Sequence, residues 1–345
     1  MDWMIYGANG YTGKLIAREA KRRGLSPVLA GRSESVATLA EELDLQHRVF
    51  DLSDAAALRL GLDGMGMVLH CAGPFSATSA PMLEACLAVG AHYLDITGEI
   101  DVFAHCHAQD ARAIERGIVV LPGAGFDVVP TDCLAAMLKR DLPGAIELVL
   151  AFEAGGGPSP GTAKTSVEGL GNGGRARIDG KLVRVPLAWK SRSFERDGQS
   201  RSAMTIPWGD VYTAFVSTGI PNIEVYMAVS PQTIANVRRM RMLGPLLRTS
   251  FVQNRMKRRV EKTVRGPSDD RRDSTVTHVW GKVRDANGRE VKRQLVTPNG
   301  YALTVTASLG IVERLLRGAA PAGFNTPSQL MGAEYVLLLP SVHVP

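Results

Sequence analysis

Cysteine is sparse in this chain. Four residues in 345, Cys71, Cys86, Cys106 and Cys133, show no C-x-x-C spacing. That excludes a disulfide-built scaffold and a zinc ribbon, and free thiols in a reducing cytoplasm are the expected state. His105-Cys106-His107 sets three ligand types side by side. Successive helical residues point in different directions, so no metal is expected there. No run of about 18 apolar residues occurs, so no membrane-spanning helix is expected. The first strand is expected so early that it leaves no room for a signal peptide. Internal repeats, low-complexity tails and helix-turn-helix, zinc-finger or RNA-binding signatures are also missing. The net charge of +6 and pI of about 9.2 therefore point to acidic ligands such as phosphates, with no nucleic acid among the expected partners.

What is present is glycine, 36 residues of it, in a chain 45% hydrophobic and 21% charged. This suits a globular α/β protein of one large or two ordinary domains. The most informative glycines come first. Met4-Ile5-Tyr6 runs into Gly7-Ala8-Asn9-Gly10-Tyr11-Thr12-Gly13, and a helix carrying Leu15, Ile16 and Ala20 follows. Strand, glycine-rich turn and helix in that order form the context of a dinucleotide site. A side chain at Gly10 would hold the backbone away from a pyrophosphate, and one at Gly13 would push the helix off the strand. The helix N-terminus offers N–H groups and a partial positive charge. The spacing is G-x-x-G-x-x-G, with Ala8 where G-x-G-x-x-G would have its first glycine. An ordinary βα turn is the competing reading. Asn9, Tyr11 and Thr12 complete the candidate cofactor loop.

A second strand, Pro27 to Ala30, ends in Gly31-Arg32-Ser33. An NAD site would place an acid here against the ribose hydroxyl. Arg32 instead favours a 2′-phosphate, with Ser33 as a further donor, so NADP is the expected cofactor. The competing reading makes Arg32 a surface cation. A helix over 36–43 and a strand over 48–50 lead to Asp51, read equally as an adenine-side residue or as a cap for the segment from Asp54. The strand Met65 to His70 closes on Cys71-Ala72-Gly73-Pro74-Phe75, a crossing expected at the carboxyl edge of the sheet, with His70 read as a strand residue. Further helices are expected over 80–89, 102–116 and after Pro130. Strands are expected over 92–95 and 118–121. Strict β-α alternation predicts a parallel, doubly wound sheet.

Beyond about Leu142 the periodicity changes. Strands are expected over 147–152, 182–185, 212–215, 223–229, 276–283 and 293–296, with a hairpin at Asp285-Ala286-Asn287-Gly288. A short helix is expected over 162–170. This reads as a second α+β domain on a mixed or antiparallel sheet, expected to hold the substrate and to pair copies in a homodimer. Arg238 to Lys262 mixes basic residues with Met240, Met242, Leu243, Leu246, Leu247, Phe251 and Val252. It reads as basic helices covering a pocket, with membrane-surface contact as the other reading. A helix over 303–316 and the segment around Phe324 are expected to return to the first domain. The organisation expected is therefore 1–142, 143–300 and 301–345.

Several motifs together resemble the saccharopine dehydrogenase-like oxidoreductases, and within them the trans-acting enoyl reductase branch. They are Gly7 to Gly13, Ala30-Gly31-Arg32-Ser33, Cys71 to Phe75, Tyr93-Leu94-Asp95-Ile96-Thr97-Gly98-Glu99, Gly125 to Asp132, Thr218 to Tyr226 and Gly323 to Pro327. The resemblance implies a Rossmann domain, a second α+β domain and NADPH. The expected activity is hydride transfer to an unsaturated small molecule or carrier-bound acyl group. C=N reduction, a non-catalytic NADP-binding protein and a lipid-surface protein are the alternatives. The resemblance carries over no catalytic acid. Glu99 and Asp127, expected at successive strand ends, are the candidate proton donors, and each reads equally as a cap or loop acceptor. Thr162 and Ser166 are candidate pocket residues.

Overall fold

In the computed structural model the chain divides into two units, Met1–Val129 with Tyr301–Gly332, and Pro130–Gly300 with Ala333–Pro345. The structure describes residues 1–241, 247 and 249–345.

The first unit is built on β1 (Trp3–Tyr6), β2 (Val28–Gly31), β3 (His47–Val49), β4 (Met67–His70), β5 (His92–Asp95) and β6 (Val119–Leu121), with the short strand Gly323–Phe324 added at one edge. The spatial order is Gly323–Phe324, β6, β5, β4, β1, β2, β3. Every pairing in it is parallel. β1, β2 and β4 are buried throughout, as expected of strands covered on both faces. Helix Tyr11–Arg22 buries Gly13, Ile16, Ala17 and Ala20 on one face and ends in Lys21 and Arg22. Helix Ala55–Gly61 starts at Asp54, whose carboxylate accepts from Ala56 and Ala57 N–H. The expected single helix over 102–116 is instead two, Ile100–Ala108 and Asp110–Glu115, broken at Gln109. Cys106 is buried there and His107 stacks on Phe324, ring centroids 4.6 Å apart.

The second unit carries an eight-stranded mixed sheet of β7 (Ala145–Glu153), β8 (Gly174–Ile178), β9 (Lys181–Val185), β10 (Ser191–Arg196), β11 (Gln199–Thr205), β12 (Asn222–Ala228), β13 (Val276–Asp285) and β14 (Glu290–Pro298). The path is β10-β11-β12-β7-β13-β14, with β8 and β9 branching from β12. Among the described residues β7 and β12 pair in parallel and the other pairings of this sheet are antiparallel. The β13–β14 hairpin turns where expected, Asp285 accepting from Asn287 and Arg289 N–H.

Several boundaries differ from the sequence reading. Residues 212–215 lie in helix Asp210–Thr218, which closes on Gly219 at φ +68°. Its β-branched and aromatic side chains read as a strand, and tertiary burial of Val211, Thr213 and Ala214 overrides that propensity. The first unit stops at Val129, not near residue 142, because helix Val129–Asp141 packs on the second sheet. A Cβ on Gly281 of β13 would lie 2.5 Å from Leu138. The last residues also join the second unit, through the Val296–His343 bridge and the Arg140–Glu334 ion pair. β8, β10 and β11 have no counterpart in the expected strands.

Candidate functional site

The chain reverses direction across the first sheet between β1 and β4, which lie side by side with Tyr6 opposite His70. The loops leaving their carboxyl ends, from Gly7 and from Cys71, form the crevice where ligands of such sheets bind. The two loops touch. Gly7 sits at φ +82°, and a Cβ on it would lie 2.8 Å from Ala72 Cβ and Ala72 N. Gly7 therefore answers both to backbone conformation and to the neighbouring loop, and supplies the tight turn although Ala8 stands in the usual glycine place.

The rest of the turn is built as its spacing suggests. Gly7 and Ala8 donate to the Ala30 carbonyl, tying the turn to β2. A Cβ on Gly13 would lie 2.3 Å from the Gly7 carbonyl oxygen and 2.8 Å from Ala8 Cα, so the helix sits directly on the turn. Gly10 is less crowded than Gly13. A Cβ there would meet only the Gly7 oxygen, at 3.2 Å. The helix from Tyr11 has neither a capping side chain at its start nor an acid in its first turn, leaving its positive end available to an anion. Tyr11 stacks edge-on against Tyr301 at 5.0 Å.

At the end of β2, Arg32, Ser33 and Ser35 are exposed. Asn9 Nδ2 donates to Ser33 Oγ at 3.2 Å and to Ser35 Oγ at 2.8 Å, and the two hydroxyls are 2.9 Å apart. Arg32 adjoins Ser33 in the chain, and a guanidinium together with two hydroxyls suits a phosphate monoester. Ser35 was absent from the sequence reading, although its place two residues beyond Ser33 was the available signal. Asp51 is not a helix cap. It closes a local turn by accepting from Ser53 N at 2.8 Å and Ser53 Oγ at 2.7 Å. Those bonds, with the Arg32 charge, hold its carboxyl below the usual range.

The Cys71–Phe75 loop is fixed from several sides. Cys71 N donates to Tyr6 O at 2.8 Å. Thr78 Oγ1 donates to the carbonyl oxygens of Ala72, at 2.6 Å, and Pro74, at 3.1 Å. A Cβ on Gly73 would touch nothing closer than the Phe75 ring at 3.6 Å, so this backbone presents open space.

The two candidate acids separate. Glu99 accepts from Phe75 N at 3.0 Å with one oxygen and from Ser76 N at 2.8 Å with the other. Its carboxylate thus accepts from the first two N–H groups of helix Phe75–Val89. Asp127 is half-buried. A Cβ on Gly98 would lie 2.9 Å from Asp127 Oδ2, so Gly98 makes room for the carboxyl group. Burial, reinforced by the charge of Glu99, raises Asp127 to about 7. A carboxyl group half neutral near pH 7 can deliver a proton. Asp95, which the sequence reading gave no role, ties two strand ends together. It accepts from Tyr93 OH at 2.7 Å, Thr97 N at 2.9 Å and Gly123 N at 2.9 Å. Burial raises it to about 6 despite those bonds.

In the second unit Thr162 and Ser166 are held within helix Pro160–Asn172. Thr162 N donates to the capping Ser159, and Ser166 Oγ donates to Thr162 O at 2.9 Å. The basic segment divides. Arg238 and Arg241 donate to the Leu187–Ala188 carbonyls, and Lys257 pairs with Glu168. Arg255, Arg258, Arg259 and Lys262 of helix Ser250–Thr263 are exposed, with Phe251 77% exposed at its start. Met242, Leu243 and Leu246 lie outside the described residues. Among the described residues no helix is long and apolar enough to cross a membrane, and no group of three or more His, Cys, Asp or Glu could hold a metal ion.

Residues 3–121 match the family model described as the saccharopine dehydrogenase NADP binding domain. The saccharopine dehydrogenase-like oxidoreductase of Rattus norvegicus is 26% identical over 203 residues, 50% of this chain and 47% of that protein. The chain thus spans about half the length of that relative. A Mycobacterium tuberculosis protein provisionally named a trans-acting enoyl reductase is 34% identical over 146 residues, 38% of this chain and 33% of that protein. Apo saccharopine dehydrogenase (L-Glu forming) of Saccharomyces cerevisiae has the same fold, with a TM-score of 0.64 at 11% identity over 100% of this chain and 99% of that one.

Proposed function

We propose that this chain, whose residues 3–121 match the saccharopine dehydrogenase NADP binding domain model, is an NADPH-dependent oxidoreductase. The observation that carries this reading is the crevice between β1 and β4, where Gly73 leaves backbone open and the uncapped helix end faces it. The residues fit the dinucleotide. The Gly7–Gly13 turn would hold the pyrophosphate. Arg32, with Ser33 and Ser35, would hold the 2′-phosphate. Cys71 to Phe75 would border the remainder. NADPH, when bound, supplies the hydride. The chain contributes binding, orientation and, at Asp127, a carboxyl group that holds a proton at neutral pH.

The acceptor proposed is a C=C bond of an apolar, unsaturated acyl group, free or carrier-bound. The likeness to the mycobacterial protein supports it. The outward stripe of Arg255, Arg258, Arg259 and Lys262 would suit an acidic carrier. C=N reduction is the second reading, favoured by the family match of the cofactor domain. NADPH oxidation with enoyl thioesters, free and carrier-bound, against amino-acid-derived imines separates the two. Turnover of imines alone would move the assignment to C=N chemistry. Tight NADPH binding without turnover of either class would favour a non-catalytic NADP-binding protein.

A further inference from the structure

His70 is a buried histidine in an unusual setting. It ends β4 with no exposed surface, and its ring lies 5.4 Å from Phe75, 5.6 Å from Tyr6 and 6.4 Å from Tyr93. Burial pushes its imidazole down to about 3, so it is neutral at physiological pH. Nε2 lies 3.0 Å from Thr78 Oγ1, while the buried Nδ1 has no hydrogen-bond partner. A hydroxyl has one proton. Thr78 spends it on the carbonyls of Ala72 and Pro74, at 2.6 and 3.1 Å. The Thr78 oxygen must therefore accept from His70, which assigns the Nε2–H tautomer and leaves Nδ1 bare. An apolar side chain would fill this aromatic nest without stranding a buried acceptor, at a saving of about 1–3 kcal/mol. The one use the imidazole makes of its polarity is the bond to Thr78.

We infer that His70 and Thr78 are a positioning pair for the cofactor loop. The imidazole orients the Thr78 hydroxyl, and the hydroxyl clamps the carbonyls on both sides of Gly73. The inference rests on the reading that this loop borders the bound dinucleotide. Neither residue touches the ligand in this scheme. Their effect is to hold the Ala72–Pro74 backbone in one arrangement, which removes an ordering cost from binding.

The test combines NADPH titration, followed by nicotinamide fluorescence, with thermal unfolding and imidazole ¹⁵N NMR. Thr78→Val removes the clamp at nearly constant volume and should weaken NADPH about tenfold, the worth of one buried hydrogen bond. Thr78→Ser should restore affinity to within about twofold, since it keeps the hydroxyl. His70→Phe should weaken NADPH about three- to tenfold while retaining the fold, because it fills the nest without a donor. The NMR spectrum of the unmodified protein should show His70 as the neutral Nε2–H tautomer with or without nucleotide. Wild-type affinity in both Thr78→Val and His70→Phe, with only the melting temperature changed, would reduce the pair to a structural role and overturn the inference. An Nδ1–H tautomer would overturn it even if Thr78→Val fails to fold. Absence of NADPH binding by the unmodified protein would instead overturn the nucleotide reading beneath it.

Discussion

Asp127→Asn should cost activity and add stability, and the stability gain should depend on pH in a defined way. The carboxyl group is raised from 3.8 to about 7, first by burial and then by Glu99. At 1.36 kcal/mol per pH unit this corresponds to an upper limit of about 4 kcal/mol. The sign follows from proton counting. Between pH 3.8 and about 7 the folded chain keeps a proton on Asp127 that the unfolded chain has released. Stability therefore falls as pH rises through that window and is level above it. Asparagine cannot ionise, so the variant lacks that slope. The gain should be near zero at pH 4 and full by pH 8. If relaxation and water entry remove half of it, about 2 kcal/mol remains, or roughly 4–8 °C in Tm for a unit of this size. Asp95, raised to about 6, titrates alike in both proteins and cancels in the difference. In turnover assays the variant should lose about 10²–10⁴-fold in kcat with NADPH affinity unchanged, the range for a lost general acid. Thermal unfolding from pH 4 to 8.5 and steady-state kinetics read both effects. A Tm difference that does not change with pH would refute the assigned environment of Asp127. Turnover within about twofold of wild type would refute its role as proton donor.

The crevice makes further claims. Arg32→Ala should remove most of an NADPH preference of at least about tenfold over NADH, since it deletes the guanidinium next in the chain to Ser33. Equal affinities of the unmodified protein for both nucleotides would refute it. Gly10→Val should abolish nucleotide binding with circular dichroism and Tm nearly unchanged, because a Cβ there meets only one protein atom, at 3.2 Å. Gly13→Ala should act the other way round, lowering Tm by several degrees because its Cβ would lie 2.3 Å from a backbone oxygen, and an unchanged Tm would contradict that packing. Turnover with a carrier-bound substrate should fall as salt rises from 50 to 500 mM, roughly in step with the shrinking Debye length, and removing Arg255, Arg258, Arg259 and Lys262 together should abolish that dependence.

The sequence by itself determined whatever depends on near neighbours. The turn from Gly7 to Gly13 is legible because three glycines, an apolar strand and an amphipathic helix lie within one short stretch, and the steric demands at Gly10 and Gly13 follow from their order. The parallel sheet is legible from the alternation of elements, and the proposal of a 2′-phosphate ligand rests on one charge at the end of β2. Even here residues 212–215 misled, since Tyr212, Thr213 and Phe215 favour strands and burial against the second unit's core overrode that preference. Gly219 was the local signal for that helix end.

The tertiary structure alone decided the contacts across distance. Glu99 and Asp127 look alike in sequence, acids after successive strands. Folding brings the backbone N–H groups of Phe75 and Ser76 to Glu99, and brings a desolvating pocket to Asp127. Those partners lie 24 and 23 residues from Glu99, and strand order, not local propensity, sets which loops meet. The bond from Gly123 N to Asp95 and the bond from Asn9 to Ser35 were hidden for the same reason, their partners lying 28 and 26 residues away. So was the division of the basic run between cations that turn inward to Leu187, Ala188 and Glu168 and those that stay exposed. A charge pattern specifies what a residue can pair with, and only the packed chain specifies what stands within reach.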